Sequence, residues 1–304
     1  DVVAVHDRDA FVGREAESFG ERRGHRWRLP LAPRILPAVS VLPLEDLARA
    51  AEAAADRARD EVLPRFRDVA VETKQDGSPV TEADRAAERA IRTVLREAAP
   101  DFGIVGEEYG EEGAREGPCW VVDPIDGTIA FSRGIPLHST LIALVVEDEP
   151  VLGLIDLPAL DDRTVGFAGG GVRRNGNPVR VSTRSDPSQA IISHGDGYAF
   201  ESFGEHRAYE RMAADLPMFR GYTDAFGHAL VVQGAVDAMV DVGLNPWDVA
   251  ATQCLAVEAG GRCLLLDRRA EGRKLGLVFG SPPLVDQLME YFDESSPGNR
   301  SSGG

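Results

Sequence analysis

Trp120-Val121-Val122-Asp123-Pro124-Ile125-Asp126-Gly127-Thr128 is the stretch on which the reading of this chain turns. Trp120, Val121 and Val122 predict a short buried strand that delivers Asp123 at its carboxyl end. Pro124 predicts a turn, which brings Asp126 back to the same side, and Gly127 lets the backbone approach a ligand closely. Two carboxylates and the Ile125 carbonyl facing one point make a hard oxygen site. Such a site suits Mg²⁺, which prefers oxygen ligands and keeps positions for water and phosphate. If a helical turn begins at Gly127-Thr128, their N–H groups face phosphate oxygens. Taken alone, the same residues read equally well as an Asx-type turn with a helix cap.

Three further segments place acids where a solvated surface would not. Glu107-Glu108 follows the apolar run Phe102-Gly103-Ile104-Val105. Asn245-Pro246-Trp247-Asp248 sits at a helix start. Asp76 to Asp84 runs through Gly77-Ser78-Pro79-Val80-Thr81-Glu82-Ala83. Haloacid-dehalogenase phosphatases also carry Asp and Gly-Thr after a strand, but their two acids are two residues apart. Here the spacing is three with a proline between, and only a period of two puts side chains on one face of a regular strand. The spacing therefore argues against an aspartyl-phosphate intermediate and for direct attack by water.

Outward from these motifs the chain alternates element types. Leu44–Leu63 carries apolar residues at helical spacing and stops before Pro64. A second helix is predicted after Thr81, burying Ala87, Ile91, Val94 and Leu95. Thr140–Val146 and Val151–Leu157 are β runs joined by a turn at Glu147-Asp148-Glu149-Pro150. Strands are expected at Gln189–Ser193, Ala238–Val242, Leu264–Leu266 and Leu275–Gly280. Helices are expected at Ala225–Val236, Trp247–Ala259 and Pro283–Phe292. Residues 1–42 show no sustained period and read as a poorly ordered extension, and 295–304 as a flexible tail. The core divides into an α+β half over 43–185, holding the metal site, and an α/β half over 186–294.

Composition narrows the function classes. Of 304 residues, 43% are hydrophobic and 27% charged, the balance of a globular chain with a sizeable core. Fifty acids against 33 Lys and Arg give a net charge of −17. That surface repels nucleic acid and anionic membranes, so an anionic substrate needs a metal to meet it. Three cysteines, far apart, exclude a disulfide framework and favour a reducing compartment. No apolar run approaches the ~18 residues of a membrane span, so a cytoplasmic location is expected.

In order and spacing, Gly106-Glu107-Glu108, Trp120–Thr128, Trp247-Asp248-Val249-Ala250-Ala251 and Glu258-Ala259-Gly260-Gly261 resemble the inositol monophosphatase superfamily over about residues 44–292, with Val80–Asp84 matching as well. The resemblance implies an α/β (α+β) fold, a layered αβαβα sandwich, with Mg²⁺ dependence and a homodimer. It implies metal ligation by Glu107, Asp123, the Ile125 carbonyl, Asp126 and Asp248, with two Mg²⁺ per subunit. Glu107 and Thr128 would orient and deprotonate the attacking water. Gly127 and Thr128 would bind phosphate. Asp84 and Lys74 would lie in the outer shell near a third, weaker metal. Without the resemblance, Asp84 reads as a capping acid and Lys74 as a surface lysine. The family usually has Asn where Ala130 stands, and Ile129 is more apolar than usual.

Leu137–Leu144, Gly153–Pro158 and Arg220–His228 look like the histidinol-phosphatase branch. Histidinol phosphate carries an ammonium and an imidazole, with which Asp224 and Asp241 could pair through charge-assisted bonds. Asp224 also reads as a helix N-cap, and His138 and His228 as satisfied structural histidines. The expectation is a Mg²⁺-dependent phosphate monoesterase acting on a small phosphorylated metabolite, histidinol phosphate first and inositol-1-phosphate second. A different-class alternative is a carboxylate-rich metal-binding protein without turnover.

Overall fold

The computed structural model describes residues 42–292 apart from 75–76, 114–115, 268 and 270–273. Asp76, the tail and the extension before Leu42 lie outside the described residues. Leu42 itself packs against the first core cluster.

The first half of the chain runs α1 (Leu44–Val62), β1 (Val71–Thr73), β2 (Pro79–Thr81), α2 (Glu82–Ala98), β3 (Gly103–Gly106), β4 (Gly110–Glu112), β5 (Cys119–Asp126) and α3 (Thr128–Ser132). It continues through β6 (Ser139–Val146), β7 (Glu149–Leu157), β8 (Asp162–Phe167), β9 (Gly171–Arg174) and β10 (Asn177–Val179). The second half runs β11 (Ile192–His194), α4 (Gly197–Ser202), α5 (His206–Asp215), β12 (Phe219–Arg220), α6 (Asp224–Val232), β13 (Ala238–Leu244), α7 (Pro246–Glu258), β14 (Arg262–Asp267), β15 (Leu275–Gly280) and α8 (Pro282–Met289). β3 to β10 form an eight-stranded sheet in the order β10-β9-β8-β7-β6-β5-β3-β4, and β11 to β15 a five-stranded sheet in the order β12-β11-β13-β15-β14.

Strand alternation sorts the side chains into layers. Trp120, Val122, Ile142 and Leu144 point to one face of the large sheet and pack with Ala51, Ala55, Ala87 and Ile91 of α1 and α2. Val121, Leu141 and Ala143 point to the other face, against Ala229, Trp247 and Leu255 of α6 and α7. The far side of those helices (Val231, Val249, Ala256) meets Met239, Leu277 and Phe279 of the small sheet. The opposite face of that sheet packs Val240 and Val278 against Met212 of α5 and Leu284 of α8. The five layers are αβαβα, as expected. α7 is buried on both sides, which explains why its sequence is apolar nearly all round rather than striped.

Several boundaries differ from expectation. The β6–β7 hairpin turns on Glu147 and Asp148 alone, with φ of 50° and 64°, and Glu149 already lies in β7. Two left-handed residues match the strand twist better than a longer turn. The helix expected over Ala225–Val236 begins at Asp224 and stops at Val232, and Gly234 follows at φ 76°. The strand expected from Gln189 starts only at Ile192. The last helix ends at Met289, with a 3₁₀ turn over Glu290–Phe292.

Candidate active site

The predicted turn at Pro124 does not exist. β5 runs straight on to Asp126 and pairs with β6 throughout, but the register slips by one: Asp123 stands opposite Leu141 and Asp126 opposite Ser139. Pro124 and Ile125 together face the single residue Thr140, whose hydroxyl donates to the Pro124 carbonyl at 2.8 Å. This is a β-bulge, one of the few places a sheet tolerates proline. The extra residue restores the face that a spacing of three would lose. Ile125 joins the core beneath α1 and α2, while both aspartates point toward α6 and α7. The spacing argument against an aspartyl-phosphate is thereby overturned as geometry, since both acids do share a face.

Asp248 and Asp84 reach the site by one device. Each is the third residue of its helix, and each gives one carboxylate oxygen to the cap. Asp248 Oδ2 accepts from Asn245 N at 2.7 Å. Asp84 Oδ2 accepts from Thr81 N at 2.8 Å and from the Thr81 hydroxyl at 2.5 Å. The capping box holds the carboxylate in one rotamer. Asp84 Oδ1 is left to accept from Thr128 Oγ1 at 3.1 Å, the same distance at which that hydroxyl meets the Ile125 carbonyl. The capping and functional readings of Asp84 therefore hold together, one oxygen each. Asp126 Oδ2 accepts from Ser139 Oγ at 3.1 Å and from Ala225 N, at the start of α6, at 2.7 Å.

Oxygens of Asp123, Asp126 and Asp248 lie within 4.8 Å of one another. Glu107 is not one of this group. It lies beside Asp123, with its Oε1 held by Lys74 Nζ at 2.7 Å, and the same ammonium reaches Glu108 Oε1 at 2.6 Å. Lys74 is thus a clamp on the Glu107-Glu108 pair rather than a surface lysine. The turn carrying these glutamates is held from below by fully buried Glu88, which accepts from Glu108 N at 2.7 Å and Tyr109 N at 3.2 Å and pairs with Arg92. Sequence reading missed Glu88 and Arg92. The signal was present: two opposite charges four residues apart on the apolar stripe of α2.

The residues present fit a hard divalent cation. No donor reaches the buried Asp123 Oδ1. Burial, then repulsion from Glu107, Asp126, Asp248 and Asp84, raises Asp123 well above the usual carboxylate range. Burial and the charges of Asp224 and Asp248 do the same to Asp126. Asp248 is pushed up to about 7, chiefly by burial. Carboxylates this close repel until a cation sits among them, and an all-oxygen set matches Mg²⁺.

The sequence profile of the inositol monophosphatase family matches residues 43–289. The chain belongs to the inositol monophosphatase family. A histidinol-phosphatase of Chlorobaculum parvum is 38% identical over 65% of this chain and 76% of its own length. A histidinol-phosphatase of Streptomyces coelicolor is 35% identical over 83% of this chain and 98% of its own. The solved inositol monophosphatase of Anabaena superposes with a TM-score of 0.73 at 26% identity, covering 86% of this chain and all of that one. Membership makes the chain a phosphoric monoester hydrolase of a metal-dependent family, typically with Mg²⁺, that acts on small phosphorylated substrates. Among the described residues no helix is long and apolar enough to cross a membrane.

In this family member the second half also brings Asp224 close to Asp126. Asp224 is not the expected cap: Thr223 holds the N-cap position, and the Asp224 carboxylate accepts from the Thr223 hydroxyl at 3.2 Å. Its backbone is left-handed, φ 57°, which a non-glycine residue adopts at a cost and tends to keep near functional sites. Asp224 Oδ2 comes to within 3.4 Å of where a Cβ on Gly127 would stand, and Gly127 itself has φ 81°, so only glycine fits that turn. Burial, then the charge of Asp241, raises Asp224 to about 6. Asp241 is only 3% exposed and is held by His228, which is satisfied at both nitrogens. His138 is not satisfied. It is buried between Phe66 and Phe131 with neither nitrogen bonded. Ile129 is 65% exposed on α3, a surface position beside the Gly127-Thr128 turn.

Proposed function

We propose that this chain hydrolyses histidinol phosphate to histidinol and phosphate by direct attack of water. The observation that carries the reading is the meeting of Asp123, Asp126 and Asp248 beside the Thr128–Asp84 pair. Asp123, Asp126, Asp248, the Ile125 carbonyl and Glu107 would hold two Mg²⁺, which would lower the pKa of water and neutralise phosphoryl charge. Thr128 has one hydroxyl proton, directed at Asp84 or the Ile125 carbonyl, so its oxygen lone pair can accept from the attacking water. Glu107 takes the second role, as the base for that water. Lys74 keeps Glu107 oriented and, with Asp84, borders the place of a third, weaker ion. The first-turn N–H groups of α3 at Thr128, with Gly127, face the phosphoryl oxygens.

Asp224 and Asp241 supply the specificity. Acids on the leaving-group side suit the ammonium and imidazole of histidinol, where inositol offers only hydroxyls. The names of the Chlorobaculum and Streptomyces relatives support the same substrate. Inositol-1-phosphate is the second reading, favoured by the Anabaena structure. We further propose that the protein is cytoplasmic and homodimeric, with each subunit divided into the halves 43–185 and 186–294. The three cysteines, all free thiols, accord with a reducing compartment. Initial rates on histidinol phosphate and inositol-1-phosphate, side by side with saturating Mg²⁺, test the substrate. A higher kcat/KM on inositol-1-phosphate overturns it and leaves the hydrolytic chemistry standing.

A further inference from the structure

A buried chain of three side chains ends on Asp241, and the other two, His228 and Thr252, take no part in the chemistry above. His228 of α6 is 1% exposed, with Nδ1 2.8 Å from Thr252 Oγ1 and Nε2 3.0 Å from Asp241 Oδ2. The roles follow from the partners. A carboxylate only accepts, so in the neutral ring Nε2 carries the proton and the Thr252 hydroxyl donates to Nδ1. The ring packs nearly perpendicular to Phe279, with centroids 5.0 Å apart.

Asp241 stands on β13, beside the turn that leaves β11. Its Oδ1 lies 1.8 Å from where a Cβ on Gly195 would be. Any side chain at Gly195 would displace the carboxylate, so the backbone there is cut back to admit it. Asp241 is in turn the leading charge acting on Asp224, and Asp224 borders Gly127. A line of hydrogen bonds therefore runs from α7 through Thr252 and His228 to Asp241, whose charge acts on Asp224 beside Gly127. Thr252 lies one helical turn beyond Asp248 on the same helix, so the line begins on the element that holds a proposed metal ligand.

We propose that His228, backed by Thr252, is a positioning residue that fixes the Asp241 carboxylate on the leaving-group side of the cleft and so sets preference for a cationic leaving group. Left alone, a buried aspartate beside Asp224 would turn away from it. The imidazole N–H supplies a fixed donor that keeps it in place. This inference rests on the histidinol phosphate reading, so the wild-type preference for histidinol phosphate over inositol-1-phosphate is measured first, and the two can fail separately.

The test uses His228→Leu, Thr252→Val and His228→Gln in the full chain with saturating Mg²⁺. Steady-state kinetics on histidinol phosphate and glycerol 2-phosphate are read beside calorimetric binding of histidinol. His228→Leu should raise KM for histidinol phosphate about tenfold and weaken histidinol to a similar degree, with a far smaller change in kcat. KM for glycerol 2-phosphate should move by no more than about twofold. Thr252→Val should shift the same quantities in the same direction by less. His228→Gln, whose amide N–H can still reach Asp241, should recover most of the preference. Equal rises in KM for both esters, or an unchanged KM for histidinol phosphate in folded His228→Leu or Thr252→Val, would overturn the proposal. Should His228→Leu fail to fold, Thr252→Val decides by the same criterion.

Discussion

Asp123 and Asp126 stand three residues apart on one strand, yet both face α6 and α7, because two residues of β5 share one partner on β6. The bulge aims the second carboxylate, and the first half of the chain thereby presents two acids to the one that the second half delivers at Asp248. Both acids come from a rigid paired strand rather than from a loop, and a strand holds ligand positions with little reorganisation.

Asp123→Asn should reduce activity by more than about a hundredfold at saturating Mg²⁺, since changes one shell further out already cost ~10–100-fold. The same variant should melt at a higher temperature than wild type when both are metal-free, because one of several repelling buried charges is gone. Near-normal turnover, or a lower metal-free Tm, would remove Asp123 from the metal site.

The stability gained on adding Mg²⁺ should be larger at pH 7.5 than at pH 5. Asp248 is raised from the ordinary 3.8 to about 7, and burial and neighbouring carboxylates raise Asp123 and Asp126 well above the ordinary value too. A carboxyl raised on folding holds its proton in the native chain after the unfolded chain has lost it. Stability of the metal-free protein therefore falls as pH rises from about 4 through about 7. Mg²⁺ needs the ionised forms, so it restores most where they are most strained. Urea unfolding with and without Mg²⁺ at the two pH values measures this, and an equal gain at both would contradict it.

His138→Phe should be neutral or stabilising at pH 7.5 and clearly stabilising at pH 5. Burial lowers the His138 pKa from 6.5 to about 4. The unfolded chain takes up the proton below pH 6.5 while the native chain does not until about 4, so stability is lost as pH falls through that window. Phenylalanine also removes two unpaired polar atoms, worth ~1–3 kcal/mol, between rings already 5.0 Å away. A loss above about 1 kcal/mol at pH 5 would mean that the imidazole has a partner such as a buried water.

Asp156→Asn should destabilise by about 3–5 kcal/mol with little change in kcat of the folded fraction. Asp156 is fully buried on β7 and takes two bonds from Arg59, both at 2.8 Å, and one from Arg163 at 2.7 Å. An amide offers those guanidiniums half the acceptors and no charge. Thermal unfolding checks it, and a shift below about 2 °C would show that water replaces the carboxylate.

Asp224→Asn should lower kcat/KM on histidinol phosphate by roughly tenfold to a hundredfold, the worth of one charge-assisted bond at ~1.5–3 kcal/mol. Glycerol 2-phosphate should be affected far less, since its leaving group is uncharged. Equal losses on both would assign Asp224 to the backbone geometry of the phosphate turn instead.

What the sequence settled alone was local. The helices over 44–62 and 82–98 come from apolar periodicity and a Thr81 cap, and the acids of the site are visible because charged residues follow apolar strands or open helices. Those signals act within a few residues, so they survive in one dimension. The tertiary structure decided how each acid is used. Asp126 accepts from Ala225 N, 99 residues away, and Lys74 closes on Glu107 across 33. The bulge at Pro124-Ile125 depends on the register with β6, and the His228–Asp241–Thr252 line on three separate elements meeting. Such contacts form only when the sheets and helices stack, since no local rule says which carboxylate oxygen serves a cap and which is left for chemistry.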